Sequence, residues 1–159
     1  MITERIVPPV LVANEAREWL GTPYIHRGSL KGVGCDCLGL LRGLYRIFYG
    51  AEPMRLPFYA PEWAEVSDRD TLLAAARHYL VERYGNEPEY GDILLFRWRA
   101  ECPCKHIGIM SGPDRFIHAY EAVGTVESAL VPTWKNRIAA RFAFPETQKH
   151  QGEVGEWQP

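Results

Sequence analysis

The stretch that decides the fold is Gly34-Cys35-Asp36-Cys37-Leu38-Gly39-Leu40-Leu41-Arg42-Gly43-Leu44-Tyr45-Arg46-Ile47-Phe48-Tyr49-Gly50. Asp36 is a good helix N-cap, and Gly50 stands where a C′ glycine belongs. Between them Cys37, Leu40, Leu41, Leu44 and Phe48 form one apolar stripe at helical spacing, with Arg42 and Arg46 on the opposite side. Cys37 therefore opens the buried face. Gly39 and Gly43 each cost about 1 kcal/mol relative to alanine, which makes sense where another backbone comes close.

Working outward, an earlier helix is predicted from Pro8-Pro9 to a stop at Gly21, with Val12, Ala16, Trp19 and Leu20 inward. A later helix is predicted from about Asp70 to Arg83, capped by Ser67 or Asp68 and ended by Gly85, with Leu72, Leu73, Ala76 and Leu80 inward. The proline-rich and aromatic run from Glu52 to Glu65 reads as an ordered loop. After residue 90 the pattern changes to strands, at Asp92 to Trp98, His106 to Met110, Arg115 to Tyr120, Thr125 to Leu130 and Arg137 to Phe144. Helices first and strands afterwards predict an α+β fold, with N-terminal helices packed on a C-terminal antiparallel sheet. The expected organisation is one domain over residues 1–145 and a polar tail over 146–159, either loose or a docking arm.

Composition bounds the function. The 159 residues are 47% hydrophobic and 24% charged, with 18 basic and 20 acidic side chains, so a folded domain with formal net charge −2 is expected. No overall field draws it to nucleic acid. The longest apolar run, Leu72 to Ala76, is too short to span a membrane. The N-terminus, with charges and Pro8-Pro9, predicts synthesis in the cytoplasm without a signal peptide. Four cysteines, grouped as Cys35/Cys37 and Cys102/Cys104, suit free thiols better than a disulfide framework.

A thiol at a helix mouth feels the positive end of the dipole and free N–H groups, both of which favour thiolate. Such a nucleophile needs a base, and His106 opens a strand downstream. His118 lies across a Ser111-Gly-Pro-Asp114 turn signal. Side chains alternate along strands, so the two imidazoles share a face when paired residue numbers add to an even total, which a three- or five-residue loop provides. His106 then takes the Cys37 proton while His118 fixes its tautomer. Tyr24, following Thr22-Pro23, offers a second donor to an oxyanion. A bland reading stays open: Cys37 as a small core residue and the histidines as ordinary sheet residues. A four-thiolate zinc site is a rival, although both cysteine pairs leave one residue between ligands where two or more are usual. Arg97, Arg99, Lys105 and Arg115 read as solvated, with an arginine near the site able to pair with a substrate carboxylate.

Trp19-Leu-Gly-Thr-Pro-Tyr24, Gly34-Cys-Asp-Cys37-Leu-Gly-Leu40, Gly91-Asp92-Ile-Leu-Leu-Phe96, His106-Ile-Gly-Ile109 and Phe116-Ile-His118-Ala119 together resemble the NlpC-type family of cell-wall cysteine peptidases. These landmarks stand in family order over roughly residues 10 to 144. Lys31-Gly-Val-Gly-Cys-Asp-Cys37 and Ser111-Gly-Pro-Asp-Arg-Phe-Ile-His-Ala-Tyr120 are similar to the branch found in tailed phages and gene transfer agents.

The resemblance implies a papain-like fold with Cys37 as nucleophile, His106 as base and His118 as third member, and Tyr24 and Asp36 at the oxyanion and substrate-binding side. No metal or other cofactor is implied. The implied substrate is the stem peptide of peptidoglycan, cut next to diaminopimelate, commonly after γ-linked D-glutamate. Leu38 departs from the serine common after the family's cysteine, which puts substrate detail in question. With no wall-binding domain or export signal, the expected carrier is a phage-like tail or hub protein that brings the peptidase to the recipient periplasm or cell wall. The alternative is a structural tail component with a vestigial or occluded site.

Overall fold

A computed structural model describes residues 4–55, 70–150 and 155–156. Helix α1 (Pro9–Arg17) starts at Pro8-Pro9. The chain then turns through Trp19 to Gly21, whose φ of 84° ends the segment. Val12, Ala16 and Trp19 are buried as expected, but Leu20 is 40% exposed, because it lies in the turn after the helix and no longer follows helical spacing.

Two short strands, β1 (Ser29–Leu30) and β2 (Gly34–Cys35), form a small antiparallel hairpin before helix α2 (Cys37–Tyr49). Helix α2 has the limits that its sequence predicts. Asp36 accepts a hydrogen bond from Gly39 N at 2.7 Å, and Gly50 follows the last turn with φ of 85°. Arg42 and Arg46 leave the apolar face and meet at Glu52.

The two helix glycines have different causes. A Cβ on Gly39 would lie 1.7 Å from the Gly28 carbonyl oxygen, so the backbone of the loop before β1 presses on the helix there. At Gly43 the neighbour is a side chain, since a Cβ would meet the Trp19 ring at 2.1 Å.

Strand β3 (Met54–Arg55) pairs in parallel with β10 (Gly155–Glu156), within segments expected to be loop and tail. The remainder of that loop, and Ser67 and Asp68, lie outside the described residues. Helix α3 (Thr71–Tyr79) is capped by Asp70, which accepts from Leu73 N. It is shorter than predicted. Leu80 is extended, and Val81–Arg83 form β4, which pairs antiparallel with β9 (Ile138–Ala143). Sheet pairing overrides a stretch that also fits helical periodicity.

The main sheet has six strands in the order β4-β9-β5-β6-β7-β8, with β5 (Ile93–Phe96), β6 (His106–Met110), β7 (Arg115–Tyr120) and β8 (Gly124–Ala129) joined in sequence. Every pairing in it is antiparallel. Alternation divides its side chains. Ile93, Leu95, Ile107, Ile109, Ile117 and Phe142 join Leu40 and Leu44 of α2 in the main core. Leu94, Phe96, Met110 and Phe116 form a second cluster, joined by Leu130, Trp134 and Ile138 around the short helix α4 (Pro132–Lys135). No helix among the described residues is long and apolar enough to cross a membrane.

The Gly39–Gly28 contact gives a direct test. Gly39→Ala should lower unfolding free energy by more than about 2 kcal/mol, since its methyl group would collide with backbone instead of a movable side chain. Urea denaturation of the two proteins measures this, and a loss of only a few tenths would refute the contact.

Candidate active site

The β6–β7 hairpin has a three-residue loop: Ser111 N donates to Arg115 O, and Ile109 pairs with Ile117 and Met110 with Phe116. Paired numbers add to an even total, so His106 and His118 project from one face. They meet there. His106 Nε2 lies 2.8 Å from His118 Nδ1, and His118 Nε2 lies 2.8 Å from Ser128 Oγ on β8. The imidazoles are 6% and 1% exposed.

Aromatic rings enclose the pair. The Trp134 ring centroid lies 5.5 Å from that of His106 and 5.2 Å from that of His118. Phe96 and Trp98 flank His106, while Phe116 and Tyr120 flank His118. Burial among these rings disfavours the charged imidazolium and holds His106 down to about 3 and His118 to about 4. For His106 the neighbouring His118 and Lys105 add to the effect.

Cys37 is the first residue of α2 and is 8% exposed. Its thiol faces the carbonyl of Lys105 at 3.9 Å, so the sulfur lies against the residue preceding His106. Among the described residues there is no thiol–imidazole hydrogen bond. Burial pushes the Cys37 thiol up, and the neighbouring Asp36 carboxylate adds to this. That corrects the expectation of a favoured thiolate, because a helix dipole supplies about 0.3–1 kcal/mol at an exposed site and full desolvation of a thiolate costs more. Burial thus works toward the neutral thiol and the neutral imidazoles.

Tyr24 stands beside Cys37 because its segment is stitched in place. It bridges Cys35 in parallel, Cys35 N donates to Pro23 O, and Thr125 N of β8 donates to Thr22 O. Burial, with Cys37 and Asp36 nearby, raises the Tyr24 phenol, which stays a donor at neutral pH. Asp36 caps the helix. Its two carboxylate oxygens accept from Gly39 N and Arg27 N, and its own N–H donates to Gly28 O. An ionised carboxylate only accepts, so Asp36 positions the helix mouth and is no oxyanion donor.

The other thiols have separate surroundings. Cys35 Sγ lies 3.3 Å from Thr125 Oγ1, and Cys104 lies beside Arg97 and Asp70, where burial raises its thiol to about 12. Among the described residues no three His, Cys, Asp or Glu side chains gather as metal ligands. Ser128 and Trp134 were not singled out from sequence. The same even-register argument carried to the β7–β8 pair, where Phe116 meets Ser128, would have found Ser128.

The model of the NlpC/P60 family matches residues 21–142. The chain belongs to the NlpC/P60 family. It is 28% identical over 127 residues to the Murein DD-endopeptidase MepS/Murein LD-carboxypeptidase of Escherichia coli, covering 79% of this chain and 57% of that protein. It thus spans little more than half the length of that relative. A probable endopeptidase of Haemophilus influenzae is 28% identical over 134 residues, covering 84% of this chain and 73% of its own. An NlpC/P60 family protein of Bacillus cereus has a solved structure that superposes with a TM-score of 0.59 at 18% identity, over 90% of this chain and 42% of that one. The α+β fold is the papain-like fold of this family.

The buried imidazoles make stability depend on acid. Their folded pKa values lie below the unfolded value near 6.5, so the unfolded chain binds more protons as pH falls. The stabilisation is complete above about pH 6.5 and is lost as pH drops toward the folded values. Urea unfolding at pH 4.5 should give a free energy at least about 2 kcal/mol below that at pH 7, with a smaller difference in a His106→Gln/His118→Gln variant. Equal pH sensitivity in both proteins would show that other groups are responsible.

Proposed function

We propose that this chain is a cysteine peptidase that hydrolyses peptidoglycan stem peptides through an acyl-enzyme on Cys37. The observation that carries the reading is the 2.8 Å contact of His106 Nε2 with His118 Nδ1, because it leaves His106 Nδ1 as the nitrogen available to a thiol. Nδ1 is the ring nitrogen nearer the backbone, and the Cys37 sulfur lies against the backbone just before His106. Support for the substrate comes from family membership and from the murein chemistry in the name of the Escherichia coli relative.

In the proposed reaction the thiol turns from the Lys105 carbonyl to His106 Nδ1 and gives up its proton as the sulfur attacks the peptide carbonyl. The oxyanion meets the Cys37 N–H, one of the orphan donors at a helix N-terminus, and the Tyr24 O–H. His106 then protonates the leaving amine, and water releases the acyl group. For His106 to be a base at Nδ1, its Nε2 must carry the proton and donate to His118 Nδ1. His118 Nε2–H then donates to Ser128 Oγ, so Ser128 supplies the acceptor that satisfies the tautomer the reaction needs.

Cleavage next to diaminopimelate belongs to this reading and is tested by mass spectrometry of the released fragments. We further propose delivery by a phage-like tail or hub protein to the recipient periplasm or cell wall, supported by the Lys31–Cys37 and Ser111–Tyr120 wording; failure to co-purify with tail particles would remove it. The thiol's burial favours a second reading, a structural component with an occluded site.

Cys37→Ala should abolish release of soluble peptide fragments from purified sacculi while preserving cooperative unfolding, and Tyr24→Phe should slow it roughly 10²-fold. Wild-type protein that releases no fragments would favour the occluded site. Undiminished release by Cys37→Ala would end the thiol mechanism.

Ser128→Ala should reduce kcat about tenfold with KM little changed, and ¹⁵N spectra should show His118 moving from one tautomer to a mixture. Ser128→Thr, which keeps the hydroxyl, should restore both. A lower kcat with the tautomer unchanged would make Ser128 a packing residue only.

A further inference from the structure

The arginines singled out from sequence near the site are mostly committed to acids of the chain. Arg97 donates to Asp70 and to the Ala100 carbonyl, and Arg115 reaches Glu127. Arg137, which precedes β9, is held differently. Its guanidinium carbon lies 4.7 Å from the Trp98 ring centroid and 5.9 Å from that of Trp134, while Lys105 Nζ lies 5.2 Å from Trp98. Among the described residues its side chain has no carboxylate partner and no hydrogen-bond acceptor.

Aromatic faces fix a guanidinium by cation–π attraction and leave its N–H edge donors unfilled. Arg137 is half-buried, so little of its freedom remains to be lost when an anion arrives. The two indoles that hold it are the ones against the His pair, with the Trp98 and Trp134 centroids 6.0 and 5.5 Å from that of His106. The backbone supports this placement, because the Arg137 carbonyl accepts from Arg97 N at the end of β5. Lys135, close by in sequence, is paired with Glu87 and does not compete for the same ligand.

We propose that Arg137, braced by Trp98 and Trp134, is a binding subsite for a free carboxylate of the peptide substrate next to the scissile bond. The proposal rests on the peptidase reading for the nature of the ligand. A planar fork matches a carboxylate through two parallel hydrogen bonds, and a wall peptide with uncapped acidic groups supplies that partner. Lys105 adds positive charge on the same indole and speeds capture of the anion.

The test uses the full chain carrying Cys37→Ala, which binds without turnover. A stem tetrapeptide with free carboxylates, and the same peptide fully amidated, are titrated while the indole N–H signals of Trp98 and Trp134 are followed by NMR. The acidic peptide should shift both signals, and adding Arg137→Gln should weaken it about tenfold while the amidated peptide binds both proteins alike. Arg137→Lys, which keeps the charge and loses the fork, should fall between. Equal affinity of the acidic peptide for the parent and the Gln variant would overturn the subsite, as would equal weakening of both peptides. If neither peptide binds, the subsite also fails, and fragment release from sacculi by the wild-type protein then shows separately whether the peptidase reading survives.

Discussion

The geometry of the candidate site depends on a counting constraint. The loop between β6 and β7 has an odd number of residues, so positions 106 and 118 fall on the same face of the sheet. Adding or deleting one residue in Gly112-Pro113-Asp114 would turn one imidazole toward the helices and the other away. No change of side chain could restore the contact. The same parity extends across β7 to β8, where it brings Ser128 to the far nitrogen of His118. Three adjacent strands thus supply a relay with no carboxylate in it, which is consistent with its burial: a neutral chain of donors and acceptors tolerates the aromatic enclosure that an unpaired charge would not.

Burial also acts on the sulfur, raising its thiol. Two effects oppose each other at Cys37. The helix mouth favours thiolate, whereas the apolar surroundings and the Asp36 carboxylate disfavour it. Desolvation of both partners suppresses the ion pair from both sides, since it raises the thiol and lowers the imidazole. In the proposed reaction, charge separation is then assisted by the bound substrate, whose carbonyl receives the electron pair as the proton moves. Beside that electrostatic effect, Asp36 has a structural one. Its two oxygens tie the helix start to the preceding loop, and the Gly39–Gly28 contact shows how closely that loop is held.

Much of this was legible because the relevant signals are local. Asp36, Gly50 and the stripe between them define α2 without tertiary information, and period-two patterns define five strands. The place of Cys37 at a helix mouth and the meeting of His106 with His118 on one face followed from a cap signal and a parity rule. What escaped depends on distant pairing. Val81-Glu82-Arg83 continue a helical pattern and become strand only because β9 offers an edge. Leu20 fits the helical stripe of α1, although the chain has already turned. Trp134 sits in a connection without periodicity, and its position over the histidines, like that of Arg137 over Trp98 and Trp134, exists only once β8 and β9 are placed. For Asp36 the cap signal and the closeness to Cys37 are the same fact read twice, and the structure shows the cap.

Strand β8 links the two halves of the site. Through Thr125 it holds the segment that carries Tyr24, and through Ser128 it ends the histidine relay. The proposed oxyanion side and the proposed base side are therefore referred to one strand, although they come from separate parts of the sequence. A shift of β8 along β7 would move the Tyr24 phenol and break the Ser128 contact together. Thr125 is buried with both backbone groups bonded to the Gly21–Thr22 segment and its hydroxyl beside Cys35, so such a shift would strand several polar groups at once. That cost is what keeps a donor from the N-terminal loop and a base from the C-terminal sheet in register, and it assigns Cys35 a structural use that needs no reactivity of its own.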